Sequence, residues 1–129
     1  MDKKYEFTGE TFEDCGVTYH RIRALRDFGK VRAGDLGGLI ETEENLSQDG
    51  ACWFDVQSRV NDNALVYGDA FVGGSIRITG NTEISGDIEV YGDGEIYGNT
   101  TIRGAYSGPS KLDVVGAIKD ARIIFSDES

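Results

Sequence analysis

The chain has 129 residues, the length of one domain, and carries 23 Asp+Glu against 13 Lys+Arg, a formal charge of −10. That balance argues against sequence-independent binding to phosphate backbones, which takes clustered Lys and Arg. Eighteen glycines with one proline and no Gly-X-Y repeat exclude collagen and make the placement of the glycines the first question.

At the start, Met1-Asp2-Lys3-Lys4 leads into Tyr5-Glu6-Phe7-Thr8-Gly9 without an apolar h-region, so no signal peptide is expected. No apolar run of about 18 residues occurs, and no membrane span is expected. Cys15 and Cys52 fit neither CxxC spacing nor a disulfide framework, which points to a reduced, cytoplasmic setting. Lys4 to Phe7 and Val17 to Leu25 read as the strands of a hairpin turning at Glu13-Asp14-Cys15-Gly16. Val31 to Gln48 reads as a degenerate 18-residue coil, with Leu36 in the aliphatic phase and Ile40 and Leu46 in the small-residue phase.

From Phe54 an aliphatic or aromatic residue recurs at every sixth position: Phe54, Val60, Val66, Val72, Ile78, Ile84, Val90, Ile96 and Ile102. Glycine follows two positions later in most units, then Asn or Asp, then a residue that is mostly small, such as Ser58, Ala64, Ala70, Thr82 or Thr100. A six-residue period fits neither an α-helix nor a heptad. It fits a short strand whose aliphatic and small residues point inward two apart, followed by a corner of residues that tolerate positive φ. Asn63, Asn81 and Asn99 repeat at 18, as do Asp69 and Asp87. Three hexads per turn are therefore expected, with an asparagine ladder along one corner.

These hexads, with Lys4 to Glu10, His20 to Gly29, Ala33 to Gly38 and Glu44 to Ser47, resemble phage and prophage hexapeptide-repeat proteins of the polymer-forming type. The likeness covers about residues 4 to 104, and its repeat is also that of the hexapeptide acyltransferases. It implies an all-β, left-handed, triangular parallel β-helix of about 18 residues per coil. The expected parts are a hairpin cap over 1–30, the β-helix over 31–104 and a C-terminal cap or oligomerisation segment over 105–129. Tyr106-Ser107-Gly108-Pro109 breaks the period, and the apolar residues between Lys111 and Phe125 leave their secondary structure open. Tyr67, Tyr91 and Tyr97 stand where the acyltransferases carry small residues, a departure that weakens the enzymatic analogy more than the fold.

Such a rod has no room for a buried ligand, so function is expected on an outer wall, corner, cap or interface. One wall would carry Trp53 above Phe71, then Glu89 with Tyr91 beside it, as candidate interface residues that a partner, the chain itself or a stacked ligand covers. A second would carry Arg59 and Arg77, which repel unless an acid or anion lies between them, with Glu95 below. Residues 49 to 104 hold nine acids against three arginines, with Asp69, Asp87, Asp93 and Glu95 as candidates for an acidic surface that either imitates nucleic acid or only keeps the protein soluble. The single histidine, His20, lies outside the repeat, and neither cysteine has a base at motif spacing. No catalytic residue, cofactor or metal is expected.

The leading expectation is a non-enzymatic, homo-oligomeric binding protein of phage type. Its partner would be a host protein or nucleic-acid-binding complex, such as a defence complex that it inhibits. The competing expectation is a hexapeptide-type acyl or nucleotidyl transferase acting at a trimer interface.

Overall fold

Each hexad runs two or more residues extended and then bends where a glycine, Asn or Asp accepts the turn, so strands are short and corners frequent. The computed structural model describes residues 3–105 and 110–125; the expected break at 106–109 lies outside the described residues. A hairpin of β1 (Tyr5–Asp14) and β2 (Val17–Ala24) precedes β3 (Leu36–Ile40) and a 3-10 turn at Glu43–Asn45. The repeat supplies β4 (Trp53–Phe54), β5 (Arg59–Val60), β6 (Leu65–Val66), β7 (Phe71–Val72), β8 (Ser75–Ile78), β9 (Glu83–Ser85), β10 (Ile88–Tyr97) and β11 (Thr101–Arg103). After it come β12 (Ser110–Lys119) and β13 (Arg122–Ile124).

Pairing within the repeat is parallel at a spacing of 18: Trp53 lies beside Phe71 and Phe71 beside Glu89, Arg59 beside Arg77, and Leu65 beside Glu83. Three walls result. The first holds β4, β7 and the start of β10; the second holds β3, β5, β8 and the end of β10; the third holds β6, β9, β11 and β13. Because β10 passes a corner unbroken, the first two walls form one sheet. The architecture is a parallel β-helix of about four turns, as the hexad period predicts. Among the described residues no helix is long and apolar enough to cross a membrane.

Inside, three aliphatic columns (Phe54, Val72, Val90; Val60, Ile78, Ile96; Val66, Ile84, Ile102) are fully buried. The small residues fill the space beside them, and the buried hydroxyls of Thr82 and Thr100 donate to the carbonyls of Thr79 and Tyr97 at 2.8 and 2.7 Å. At the corners two demands coincide. Gly86 has φ +81°, and a Cβ there would lie 2.4 Å from the Gly104 carbonyl oxygen of the next coil. Beside another corner, the Asn63 amide donates to Asn81 and the Asn81 amide to Asn99, each at 3.1 Å.

Two local expectations need correcting. Ile40 pairs with Val60, and Leu46 bridges to Val66, so both belong to the aliphatic columns and the first coil is two residues longer than 18. The extra two residues fall between Ser47 and Gly50, because Leu46 still meets Val66 at a spacing of 20 whereas Gly50 lies against Gly68 and Trp53 beside Phe71 at 18. The buried Asn45 side chain accepts from the Glu41 and Thr42 amides and donates to the Asp62 and Ala64 carbonyls, which secures the corner between Ile40 and Leu46. Leu36 is half exposed. The segment whose secondary structure the sequence leaves open continues the coil, with β12 parallel to β10 and β13 parallel to β11.

β2 pairs antiparallel with β3 and so extends the second wall at its N-terminal edge. Beneath the hairpin, Lys4 is fully buried and its ammonium donates to the carbonyls of Cys52, Gly50 and Asp49 at 2.8, 3.3 and 3.4 Å. Burial pushes its pKa down. Truncating one aliphatic column, as in Ile84→Ala, should lower the unfolding free energy in urea by about 2 to 5 kcal/mol, because coils above and below hold the cavity open. A loss well under 1 kcal/mol would show that the interior is loosely packed.

Candidate functional site on the first wall

The outer column of the first wall runs Trp53, Phe71, Glu89, and the chain treats its members differently. Trp53 is 3% exposed, covered by Phe28 edge-on at 5.3 Å and Tyr5 at 6.2 Å between ring centroids. Gly37 lies against its ring, where a Cβ would come within 2.5 Å of Cζ2. Tyr5 itself is fully buried, donates to the Leu46 carbonyl at 2.5 Å, and has its pKa pushed up by burial and the nearby Glu43. The surface of Trp53 is thus used within the molecule.

Phe71 is half-buried, and Lys30 from the loop before β3 lies 5.0 Å above its ring centroid. The Lys30 ammonium also pairs with Glu89, and the Tyr91 hydroxyl donates to the same Glu89 oxygen at 3.0 Å. Phe71 and Tyr91 are 6.2 Å apart. Hydrogen bonds from Lys30 and Tyr91 hold the Glu89 carboxyl below the usual carboxylate range, and Glu89 in turn raises the pKa of Lys30. Grooves open on either side of Lys30. One, of about 380 Å³, has Val31 and Phe71 as apolar lining with Asp69, Asp87 and Glu89 around it. The other, of about 440 Å³, lies between Leu36, Trp53, Asp55 and Phe71.

The second wall answers the question its arginines raise. Asp14, at the tip of the hairpin, pairs with Arg59 at 2.9 Å and accepts from Arg77 at 3.2 Å, while Glu95 lies 3.8 Å from Arg77. Phe12 and Tyr19 flank the Arg59 guanidinium, their ring centroids 5.6 and 5.2 Å away. Two acids of the same chain, Asp14 and Glu95, therefore balance the two arginines. Among the other acidic-surface residues, Asp69 accepts from the Ala51 amide at 3.1 Å and Asp93 is exposed. His20 is half-buried, its ring stacked on Phe7 at 4.4 Å, and it lines neither groove. Among the described residues no cluster of His, Cys, Asp or Glu is placed to hold a metal ion.

Sequence spacing brings Phe71, Glu89 and Tyr91 together but misses Lys30, 41 residues before Phe71 and outside the repeat. The only signal for it was an acid left unpaired in an aromatic column.

The fold and its six-residue period define a hexapeptide-repeat β-helix. Over 54 residues, 42% of the chain, it is 39% identical to a protein of Escherichia coli (strain K12) named as the uncharacterized acetyltransferase YdcK. The match spans 15% of that protein's length. No family model matches the chain. The similarity overturns the expectation of a protein without enzymatic activity, which rested on the lack of a histidine inside the repeat.

Two outcomes check the geometry. Asp14→Asn should free the hairpin tip, raising hydrogen exchange over residues 11–19 at a cost on the order of 1 kcal/mol, with exchange in the repeat unchanged. For Glu89, whose folded pKa is depressed, the stabilisation is present above its unfolded value of about 4.3 and lost as pH falls through the folded value. The wild-type protein should therefore exceed Glu89→Gln in stability by up to about 1 kcal/mol at pH 7, and the gap should close toward pH 3. A gap independent of pH would contradict the ion pair.

Proposed function

We propose that this β-helix serves acyl transfer to an amine-bearing acceptor, with the groove beside Phe71 as the acceptor site. The observation that carries the reading is the similarity of the chain to a protein named as an acetyltransferase. The chemistry of the groove supplies the acceptor class. Its apolar lining, Phe71 and Val31, suits an alkyl chain, and the carboxylates of Asp69, Asp87 and Glu89 suit a cationic head. Lys30 already makes the contacts such an amine would make, an ammonium over Phe71 paired with Glu89.

In the reaction the deprotonated amine attacks the acyl carbonyl, the donor's thiolate leaves, and a base takes the proton. The groove orients the nitrogen and keeps its alkyl chain out of water. The carboxylates of Asp69 and Asp87, which line the groove beside the nitrogen's path, are the groups that take that proton.

The test is release of free thiol from acetyl-CoA in the presence of alkylamines or, separately, of alcohols. Amine-dependent release is expected, with kcat/KM lowered on the order of tenfold in Phe71→Ala and in Glu89→Gln. Release no faster than the protein-free blank with every amine, or release with alcohols alone, would overturn the reading.

A further inference from the structure

In the C-terminal coil the outer edges of the strands are open among the described residues. β12 bonds to β10 over ten successive residue pairs, from Ile88 beside Ser110 to Tyr97 beside Lys119. Among the described residues no strand pairs with its opposite edge, and β13 likewise pairs with β11 alone. A ten-residue row of backbone N–H and C=O groups without proline is a template for another strand. The side chains at this end match that state: Val115 is 92% and Ile124 43% exposed, and Leu112, Ile118, Ile123 and Phe125 are half-buried against the core. These are the residues that another coil would cover.

The charges along β12 say which coil fits. Lys111, Asp113, Val115, Ala117 and Lys119 share one face, and Leu112, Val114, Gly116 and Ile118 the other. An antiparallel copy keeps that alternation only if the two-fold axis falls on a residue. An axis on Val115 would set Lys111 against Lys119. Axes on Val114 or Ala117 would set a charged residue against an apolar one. An axis on Gly116 faces Asp113 of each copy with Lys119 of the other, Val114 with Ile118 and Val115 with Ala117, and places on the axis a residue with no side chain.

We propose that the β12 edge is the docking surface for a second copy of this chain, joined end to end by antiparallel β12 pairing about Gly116. The pairing is isologous, so one strand supplies both halves of each contact. It is independent of the acyl-transfer reading.

Sedimentation equilibrium of the full chain at physiological ionic strength tests it, with circular dichroism to show that each variant is folded. The wild-type protein should reach twice its 14.1 kDa mass with rising concentration. Lys119→Asp, which faces Asp113 with an acid at both ends of the pairing, should weaken association about tenfold or more. Combining it with Asp113→Lys should restore association, because the exchanged charges attract again. A monomer at every concentration up to about 1 mM overturns the proposal. So does a dimer that Lys119→Asp leaves unchanged, or one that Phe71→Ala dissociates, since either places the contact elsewhere. Failure of the double variant to recover overturns the Gly116 register.

Discussion

Close approach of one coil's backbone to the next at the corners is the constraint from which the rest of the molecule follows. Strands in a sheet lie about 4.8 Å apart, and a coil that turns three times in 18 residues must keep that spacing through each turn. A corner therefore needs a residue that accepts positive φ and presents nothing toward its neighbour. Gly86 against Gly104 meets both demands. The Asn63, Asn81 and Asn99 side chains bond along the stack beside such a corner. With the corners fixed, the aliphatic columns must point inward, and the outer wall is left to carry whatever chemistry the protein has.

The same constraint makes the ends difficult. Interior coils satisfy their backbone groups through the coils above and below, and a terminal coil has one side unpaired. At the N-terminal end the chain spends a lysine: the buried ammonium of Lys4 collects three carbonyls of one corner, lies 4.9 Å from the Phe28 ring centroid, and is 3.2 Å from the Cys52 sulfur. Burying a charge is costly, and three carbonyl acceptors offset that cost. The hairpin then covers β3 and fastens its tip to the second wall through Asp14. The C-terminal end has no such arrangement among the described residues.

Residues bound by the period were legible in the sequence; residues bound by long-range contact were not. Phe54 to Ile102 sit inside because every sixth position must, and Phe71, Glu89 and Tyr91 share a wall for the same reason. Ile40 and Leu46 escaped correct phasing because two extra residues lie after them, between Ser47 and Gly50, and nothing in the hexad pattern announces an insertion. The covering of Trp53 by Phe28 and the arrival of Lys30 over Phe71 depend on a loop outside the repeat. Asp14 lies 45 residues before Arg59 in sequence, so the acid that the arginine column required was recognisable as a need without being nameable.

The central claim is that 18 residues, three corners, form the unit of this structure and that a single hexad does not. Deleting residues 67–84, one full coil, and separately residues 79–84, one hexad, tests it through urea unfolding followed by far-ultraviolet circular dichroism. The 18-residue deletion should unfold cooperatively, since every wall and corner residue still meets its own column. The hexad deletion keeps the inward pattern but moves every later residue to the next wall, and should lose most of its stability. Equal stability of the two deletions, or loss of folding in the 18-residue one alone, would contradict the account.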